Sequence, residues 1–537
     1  MKNYLLTLSM LVALINATEI SAQSETIQLV KDIHINSDNE PHGLSAFGNN
    51  VLFIASDGIH GMEPWISDGT EAGTFMLKDI WPGNGNSYNS STSYLDNYWN
   101  NYFFPLNGSM VFAANDSIRG LELWITDGTP EGTNILKEIK QGTQGTGQQY
   151  RILFNNKMYF NADDGTGQKI WVSDGTEAGT MQFADIKIGG QFSAILNEEL
   201  YFCGDSVANG REFWVTNGTP EGTRMIKDIN PGGSDSDPNY ITAFGNKIIF
   251  SADSSGIGEE PWISDGTTDG THLLKDINTE IGNWGIPSSS QGRYYYEFQD
   301  KCYFRARGSD LLGTELWVTD GTEDGTQLVI NINTDTLPAN PDSSPSQFIE
   351  FNSELYFKAQ YLGESTIWKI EEAGAQPTLF KAGGAGFFHI LNDHLYFIDE
   401  DGVGKTDGTV AGTTIIPFSG SYIRTMNRCG NQLFLTGMSS TAIGSELYVI
   451  ENTTGITNYE ENEFSLYPNP AADVVNLNIK KSFNSQMLVT IADISGRVLI
   501  YSQLDASQSS IQLNTSTLAK GIYIIEVGGL SKKIIKI

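Results

Sequence analysis

The sequence is poor in cysteine and in basic residues. It has only 3 Cys in 537 residues, and the absence of CxxC spacing argues against a disulfide framework or a zinc site. Its 32 Lys and Arg residues face 64 Asp and Glu residues, which gives a net charge of −32. A nucleic-acid binder needs cations against phosphate, and so does a protein that docks on an anionic membrane. The composition favours a soluble, extracytoplasmic protein with no nucleic-acid partner.

The sequence also lacks an apolar run that would span a bilayer comfortably. The longest run, Tyr4–Ile15, follows Lys2 and precedes the small residues of Ile20-Ser21-Ala22. This order is typical of a signal peptide that is cleaved before Gln23. We predict a signal peptide over residues 1–22 and no transmembrane segment after cleavage. A retained N-terminal anchor is the alternative.

Common catalytic motifs are absent as well. The sequence has no GxSxG, no HExxH, no phosphate-binding loop and no GxGxxG after a strand. Its 6 His are scattered, and a carboxylate pair for glycoside hydrolysis cannot be chosen from 64 acidic residues. We therefore assign no catalytic residue. The sequence favours a protein without chemistry of its own and leaves enzymatic activity open.

The sequence is rich in one repeated pattern. "ELWITDGTPEGT" begins at Glu122, and close relatives begin at Glu63, Glu212, Glu260 and Glu315. Each copy follows an apolar anchor residue at a nearly constant spacing. The anchors recur about every 48 residues, a period typical of propeller repeats. They are Phe47, Leu106, Phe154, Leu196, Phe244, Phe298, Phe351, Leu391 and Cys429.

Each repeat contains four short runs rich in Val, Ile, Phe, Tyr and Trp, separated by Asn, Asp and Gly. Four such strands make one blade of a β-propeller. We predict an all-β fold of about nine four-stranded blades. Because nine blades is a high number for a propeller, eight blades plus an irregular piece are the alternative; the eighth repeat is shortened and is interpreted as a small blade. The ninth repeat lacks its last strand, and "TIQLVKDI", Thr26–Ile33, matches that strand. We predict that this N-terminal strand closes the ring.

Tryptophan and Asp-Gly-Thr hold fixed positions in the repeat. We predict that the tryptophans pack between neighbouring blades; they are Trp65, Trp124, Trp171, Trp214, Trp262, Trp317 and Trp368. Asp-Gly favours a hairpin turn, and the Asp side chain can cap the amides of that turn. We predict structural turns at Asp68, Asp127, Asp174, Asp265, Asp320 and Asp407.

Asn217 takes the place of Asp in a further copy. Asparagine can cap a turn but cannot act as a general base, which favours a structural role for the Asp residues. Calcium is the alternative, because a glutamate recurs beside the turns and hard cations prefer oxygen ligands. We expect no other cofactor. These glutamates are Glu63, Glu122, Glu212, Glu260, Glu315 and Glu446.

Aromatic residues outside the repeat are the candidates for ligand binding. Segments 86–104 and 282–298 interleave Tyr and Trp with Asn, Ser and Gly. Flat aromatic rings beside amides suit a carbohydrate or a peptide surface. Tyr102–Phe104 and Tyr294–Tyr296 are interpreted as the first strands of their blades. We predict a binding face at Tyr98, Trp99 and Trp284.

The repeats resemble the ELWxxDGT repeat family of secreted bacterial proteins. The resemblance covers roughly residues 26–451 and includes five near-complete copies of the motif. It implies a secreted repeat protein, and it implies no particular reaction.

A different pattern begins near Glu461, where the repeat stops and the strands lengthen. Alternating runs over this segment predict a small β-sandwich. The segment resembles the type A C-terminal sorting domain of the type IX secretion system. The resemblance implies the type IX translocon as a partner and a secreted or outer-membrane-surface location. It is carried by Tyr467, Pro468, Asn469, Pro470, Asp493, Gly496, Arg497, Gly521, Ile522, Tyr523 and the closing Lys532–Ile537.

The predicted domains are a signal peptide (1–22), a β-propeller (23–451), a linker (452–460) and a sorting domain (461–537). We predict a secreted or cell-surface binding or adhesion protein with a glycan or protein ligand. A polysaccharide-acting propeller enzyme with its site in the central funnel is one alternative. A purely structural surface protein is the other.

Overall fold

The computed structural model describes residues 25–34, 41–88, 102–282, 285–333, 342–384, 386–440 and 444–451 of the first part of the chain. In the last part it describes 464–467, 473–479, 487–493, 498–504, 510–516, 518, 520–527 and 530–536. The chain divides into two compact units, Met1–Asn452 and Thr453–Ile537. All regular elements among the described residues are β-strands.

The first unit contains nine antiparallel sheets of four strands each, so nine blades are confirmed and the eight-blade alternative is wrong. The strands of blades one to four, after the N-terminal strand β1 (Ile27–Lys31), are β2 (His42–Phe47), β3 (Asn50–Ala55), β4 (Glu63–Ser67), β5 (Phe75–Met76); β6 (Phe103–Leu106), β7 (Ser109–Asn115), β8 (Leu121–Thr126), β9 (Asn134–Lys137); β10 (Gln149–Phe154), β11 (Lys157–Asp163), β12 (Gln168–Ser173), β13 (Met181–Ala184); β14 (Lys187–Leu196), β15 (Glu199–Ser206), β16 (Gly210–Thr216) and β17 (Arg224–Lys227).

The remaining blades follow in the same order along the chain. Their strands are β18 (Asn239–Phe244), β19 (Lys247–Ser254), β20 (Gly258–Ser264), β21 (His272–Leu273); β22 (Arg293–Phe298), β23 (Lys301–Ser309), β24 (Gly313–Thr319), β25 (Gln327–Ile330); β26 (Ser346–Phe351), β27 (Glu354–Tyr361), β28 (Glu364–Ile370), β29 (Thr378–Ala382); β30 (Gly386–Leu391), β31 (His394–Asp399), β32 (Gly402–Thr406), β33 (Thr414–Pro417); and β34 (Tyr422–Cys429), β35 (Gln432–Ser440) and β36 (Gly444–Glu451).

Turn chemistry explains why each repeat folds as a meander. The first two strands of a blade are joined by two residues that both have positive φ in several blades, as at Asn155 (49°) and Asn156 (57°). Asparagine tolerates this conformation, and such a turn matches the twist of the flanking strands. Phe160 then pairs with Trp171 on the third strand. The hairpin register therefore places one large aromatic residue on each of two neighbouring strands.

The hydrophobic core lies between blades. Each cluster combines two neighbours, such as Leu52 and Ile54 of blade one with Phe112 and Trp124 of blade two. Trp65 of blade one packs with Phe434 of blade nine in the same way. The seven repeat tryptophans all pack toward the preceding blade. They lie in the clusters that join blades nine and one, one and two, two and three, three and four, four and five, five and six, and six and seven.

Blade eight differs from the others at this position. Gly404 stands opposite Phe397 where other blades have tryptophan. A Cβ atom on Gly404 would lie 2.1 Å from the Phe397 ring, so the ring occupies the space above the glycine. The blade nevertheless has four strands. The shortened repeat therefore still makes a complete blade.

The N-terminal strand closes the ring. β1 is the fourth strand of blade nine, where Leu29 lies opposite Tyr448. The Lys31 Nζ atom donates to the Thr74 carbonyl of blade one at 2.8 Å. The equivalent bond from Lys78 of blade one reaches Thr133 of blade two at 2.6 Å. The junction between the two ends of the chain therefore repeats an ordinary contact between blades. Further copies are Lys137 to Thr180, Lys227 to Thr271 and Lys275 to Thr326.

The antiparallel order gives the propeller two faces. Turns between the first and second strands, and the Asp-Gly-Thr turns between the third and fourth, lie on one face, which we call the turn face. Hairpins between the second and third strands lie on the other, together with the segments that join one blade to the next; we call it the connector face. The first strands β2, β6, β10, β14, β18, β22, β26, β30 and β34 are the innermost and border the central channel.

The second unit contains two antiparallel sheets. β37 (Phe464–Tyr467), β38 (Val474–Ile479) and β41 (Ser510–Asn514) form one; β39 (Met487–Asp493), β40 (Val498–Leu504), β42 (Gly521–Val527) and β43 (Leu530–Lys536) form the other. Both sheets contribute to one hydrophobic cluster that includes Leu477, Leu513, Ile491 and Tyr523. Across the described part of the chain, no helix has the length and apolar character needed to cross a membrane.

Removing residues 1–34 should destabilise the propeller, because it deletes the buried Val30 and Ile33 and exposes the edge of β36. We expect a loss of at least about 3 kcal/mol from the two buried side chains alone, and self-association through the open edge. Urea unfolding and size-exclusion chromatography measure both effects. Removing residues 1–24 is the matched control, because it leaves β1 in place. An unchanged unfolding midpoint in the longer deletion would contradict closure by β1.

Candidate functional site

The repeated Asp residues lie in tight turns on the turn face. The Asp127 Oδ1 atom accepts hydrogen bonds from the Thr129 amide at 3.0 Å and the Thr129 hydroxyl at 2.7 Å. The Thr129 hydroxyl accepts in turn from the Gly132 amide at 3.0 Å. These bonds hold the pKa of Asp127 below its usual value. The same pair of bonds to Thr is made by Asp68, Asp174, Asp265, Asp320 and Asp407.

Asn217 makes the same two bonds to Thr219, at 3.0 Å and 2.8 Å. An amide oxygen therefore replaces a carboxylate oxygen without a change in the turn. Gly128 within the Asp127 turn has φ +86°, a conformation that favours glycine. Its Cα faces Phe47 of the preceding blade, which a Cβ would approach to 2.7 Å. Both residues of the Asp-Gly pair thus have conformational and packing roles at this position.

The repeated glutamates are buried inside the blades. Glu122 is fully buried, and its two carboxylate oxygens accept from the amides of Ile139 at 2.9 Å and Lys140 at 3.2 Å. The third strand is thereby joined to the segment that follows the fourth strand. Burial raises the pKa of Glu122 to about 7, against the effect of these bonds. Glu63, Glu212, Glu260 and Glu315 accept from the amides of Ile80, Ile229, Ile277 and Ile332 in the same way.

Blade nine makes this bond across the closure. The Glu446 Oε2 atom accepts from the Ile33 amide at 3.3 Å, so the N-terminal segment supplies the donor that the chain after β36 would otherwise provide. Within the described ranges, no group of three or more His, Cys, Asp or Glu side chains is arranged to hold a metal ion. Calcium at the repeats stays a prediction.

The predicted ligand residues Tyr98, Trp99 and Trp284 lie outside the described residues and stay predictions. Of the predicted sorting-motif residues, Tyr467 ends β37, and Gly521 and Tyr523 lie in β42. Pro468, Asn469 and Pro470 lie outside the described residues.

A second set of aromatic residues borders the channel. These residues occupy the position four residues before each anchor, near the connector-face end of the innermost strand. We call it the bulge position. The pairing of the first and second strands shifts register there in several blades, as between Arg293 and Tyr296. Six of the nine residues at the bulge position are aromatic. In blade order the nine are Gly43, Tyr102, Tyr150, Phe192, Tyr240, Tyr294, Gln347, Phe387 and Thr425.

The backbone at the bulge position suits glycine. Gly43 has φ +69°, and Tyr150, Tyr240, Tyr294 and Phe387 have φ between +48° and +59°. Positive φ is costly for a bulky side chain and persists only where the surroundings enforce it. Blade one shows that glycine serves the backbone there. The aromatic side chains in the other blades therefore have a role that the turn itself does not require.

Three of these rings touch in succession around the channel. Phe192 stacks on Tyr240 at 4.2 Å between ring centroids, and Tyr240 meets Tyr294 edge to face at 5.2 Å. The Arg305 guanidinium lies 4.7 Å from the centre of the Tyr294 ring. The Arg293 guanidinium lies 5.8 Å from that of Tyr240. We call these five residues the aromatic sector; they belong to blades four, five and six.

Titratable groups flank the aromatic sector on the connector face. Arg211 pairs with Asp235 and with Asp237, each at 2.8 Å. Burial nevertheless raises the pKa of Asp237 above its usual value. Burial also raises the pKa of Asp253 and of Glu259, which lie opposite each other on β19 and β20. Glu259 interacts electrostatically with Arg293 of the aromatic sector and with Asp253 and Asp237, so these carboxyls lie near that sector.

Sequence reasoning missed the aromatic sector. The sequence predicts a first strand at Tyr294–Tyr296, and these residues lie in β22. An aromatic residue in a strand is ordinary, and the sequence does not display φ. Aligning all nine anchors and comparing the position four residues earlier would have revealed the recurrence.

Comparisons with known proteins identify the C-terminal segment. The family model "Secretion system C-terminal sorting domain" matches residues 465–537. A domain of this kind directs export by the type IX secretion system, to secretion or to attachment at the cell surface. No curated protein matches this chain significantly.

Solved structures that match part of this chain include a puromycin-hydrolyzing peptidase of Mycobacterium tuberculosis, at 12% identity and TM-score 0.36, covering 71% of this chain and 60% of that one. Prolyl oligopeptidase B from Galerina marginata is similar at 10% identity and TM-score 0.35, covering 71% and 56%. The chain thus spans less than two thirds of the length of these proteins. At such scores the likeness carries no argument about function.

Replacing Glu122 with Gln should change how stability depends on pH. Because the folded-state pKa is raised from 4.5 to about 7, the folded state holds the proton more tightly than the unfolded state. This contribution is complete below about pH 4.5 and is lost as pH rises through about 7. We expect the unfolding free energy of the wild type, relative to Glu122→Gln, to fall over that window. Urea unfolding at several pH values measures it; the exposed Glu131→Gln is the control, and a pH-independent difference would contradict the prediction.

Deleting residues 461–537 should leave the protein in the periplasm, because the deletion removes the segment matched by the sorting-domain model. Protease treatment of intact cells and immunoblots of cell fractions measure the location. Undiminished surface display of the truncated chain would refute the role of this segment in export.

Proposed function

We propose that this chain is a secreted or cell-surface protein of the ELWxxDGT repeat type whose propeller binds a glycan at the connector-face end of its channel. The aromatic sector carries the proposal. It places Phe192, Tyr240 and Tyr294 in contact around the inner edge of three blades, with arginines against two of the rings.

Packing accounts for part of the role of these rings, because Tyr240 lies in the hydrophobic cluster between blades five and six, and Phe192 and Tyr294 pack against it. Their backbone conformation supports an additional binding role. Tyr240 and Tyr294 have φ +52° and +59°, and such strain tends to occur at functional sites. Aromatic rings offer flat apolar surface to the C–H faces of a sugar, and their hydroxyl groups can hydrogen-bond to sugar hydroxyls. The predicted residue Trp284 belongs to the segment that leads into β22, and with Tyr98 and Trp99 it stays a candidate for the same surface.

A polysaccharide-acting enzyme is the second candidate. It is favoured by Asp237, Asp253 and Glu259, because burial raises their pKa values and a general acid is a carboxyl whose pKa is raised. Release of new reducing ends from a polysaccharide, abolished by Glu259→Gln, would favour the enzyme. Binding without product would favour the binding protein. If no glycan is either bound or cleaved, the result would favour a protein ligand or a structural role.

Replacing Tyr294 with Gly should separate binding from stability. Glycine accepts φ +59° without strain, so the relief of about 1 kcal/mol offsets part of the lost ring contacts. We expect the unfolding free energy to change by no more than about 1 kcal/mol and glycan binding to be lost. Urea unfolding measures the first, and the shift in unfolding temperature across a glycan panel measures the second.

Two further variants make this test decisive. Tyr294→Phe keeps the ring and should keep most of the binding, while Phe75→Ala removes an exposed ring on the outer strand β5 and should change nothing. A loss of stability of about 3 kcal/mol or more in Tyr294→Gly, with glycan binding intact, would show that the ring only packs.

A further inference from the structure

Three arginines of the propeller pair with carboxylates on the connector face. Arg119, Arg211 and Arg307 belong to hairpin regions of the connector face, and each pairs with two carboxylates: Asp116 and Glu138, Asp235 and Asp237, and Asp310 and Asp342 respectively. Arg293 and Arg305, in contrast, form no ion pair with a described carboxylate. Arg224 and Arg428 likewise form no ion pair with a described carboxylate, but Arg293 and Arg305 are the two whose guanidinium groups lie beside rings of the aromatic sector.

These two arginines are neighbours. Arg293 on β22 and Arg305 on β23 are register partners, so two positive charges lie side by side on adjacent strands. The Arg293 Nε atom is buried and has no hydrogen-bond partner within the part of the chain that the structure describes. Burial lowers the pKa of Arg305, and the nearby charge of Arg293 adds to that effect. The pair therefore costs stability as it stands, and an anion between the two would remove much of that cost.

Stacking on the tyrosines offsets only part of this cost. A guanidinium over an aromatic ring gains a modest electrostatic attraction. The Arg293 Nη2 atom donates to the Gln291 Oε1 atom at 3.4 Å, whereas the buried Nε atom of Arg293 has no acceptor among the described residues. The N–H donors of a guanidinium form planar forks that match carboxylate and sulfate oxygens. The stacking holds each fork in place, which favours recognition of an oxyanion.

We propose that Arg293 and Arg305 bind the carboxylate or sulfate group of an acidic sugar, whose ring lies against Tyr240 and Tyr294. This inference rests on the proposed glycan-binding function and specifies its ligand class. Polar side chains sit one residue before the bulge position in several blades and offer hydrogen bonds to further sugar hydroxyls. Among them are His42, Gln149, Asn239 and Arg424.

The inner strands also disfavour the main alternative, an acidic peptide. Peptides commonly add as a strand to a regular, open sheet edge. Here the edge that faces the channel is interrupted at its connector end, because the ladder shifts register between Asn239 and Thr242 and again between Arg293 and Tyr296. A bulged edge offers few consecutive hydrogen bonds to an added strand. A sugar needs no such ladder.

The test compares ligands that differ only in charge. Calorimetry with the purified full chain uses oligogalacturonate against its methyl ester, and dextran sulfate against dextran; polyglutamate is the peptide arm. We expect at least one charged sugar to bind about tenfold or more tightly than its neutral counterpart. The two charged arms distinguish a carboxylate from a sulfate ligand.

Variants assign the effect to the arginine pair. Arg293→Gln and Arg305→Gln should each weaken binding of the charged sugar about tenfold or more and abolish the preference over the neutral one. Arg305→Lys keeps the charge without the planar fork and should be intermediate. Arg224→Gln is the matched control, because it removes the same charge from the exposed start of the outer strand β17. Far-ultraviolet circular dichroism and unfolding midpoints verify that each variant is folded.

Each outcome has a defined meaning. Equal binding of charged and neutral sugars, lost in Tyr294→Gly, would overturn the acidic-sugar inference and leave the glycan-binding function in place. Polyglutamate binding as tightly as any sugar would overturn both in favour of a peptide ligand. Binding of none of the probes would overturn the inference. If Arg224→Gln weakens binding as much as Arg305→Gln does, the inference would also be overturned, because the net charge of the protein would explain the effect.

Discussion

A buried glutamate carboxylate fixes the path of the chain in each blade that contains the full motif. The glutamate two residues before the tryptophan lies inside the sheet and accepts hydrogen bonds from amides some 17 residues further along, so that the third strand and the start of the next connection are fixed to each other. Desolvation of such a group is costly unless its acceptors are used. The bond therefore strongly favours one path for the chain as it leaves a blade. In blade nine the same acceptor contacts Ile33, so ring closure satisfies a requirement that every complete repeat shares.

This requirement explains why most residues of the repeated motif make structural contacts and few of them are available to a ligand. Glutamate, tryptophan, Asp-Gly-Thr and the lysine of the fourth strand each have a separate contact: amides of their own blade, the preceding blade, the turn, and the following blade. Those contacts use the side chains that could otherwise bind a ligand on the turn face. Variation is left to the connector face, where the segments between blades differ in length and composition. A ligand site is therefore expected among residues that the motif does not include.

Much of the fold could be predicted from the sequence, for physical reasons. The spacing from anchor to tryptophan is nearly constant because strand pairing fixes it, and this rigidity made nine blades and the closing strand recognisable. The backbone conformation at the bulge position could not be predicted in the same way, although the anchors show that aromatic residues recur there. Tyr240 and Tyr294 look like any strand residue in the sequence, and Tyr240 is buried in the core as Tyr303 is. The positive backbone angle distinguishes both from Tyr303. The sequence also does not predict that Arg293 and Arg305 lack ion pairs with described carboxylates, because ion pairing depends on which strands become neighbours in the fold.

Two unfavourable features coincide at one place in the molecule. Aromatic side chains adopt a conformation suited to glycine, and two arginines adjoin without a carboxylate partner among the described residues. Each feature costs stability on the order of a kilocalorie or more, and a ring of nine blades packed by large aromatic residues can tolerate such local costs. Elsewhere the same chain pairs its connector-face arginines and uses glycine at the bulge of blade one. The same conformation occurs at Tyr150 and Phe387, so the backbone angle alone does not single out blades five and six. The two adjoining arginines beside the rings are what support the proposed ligand in this sector.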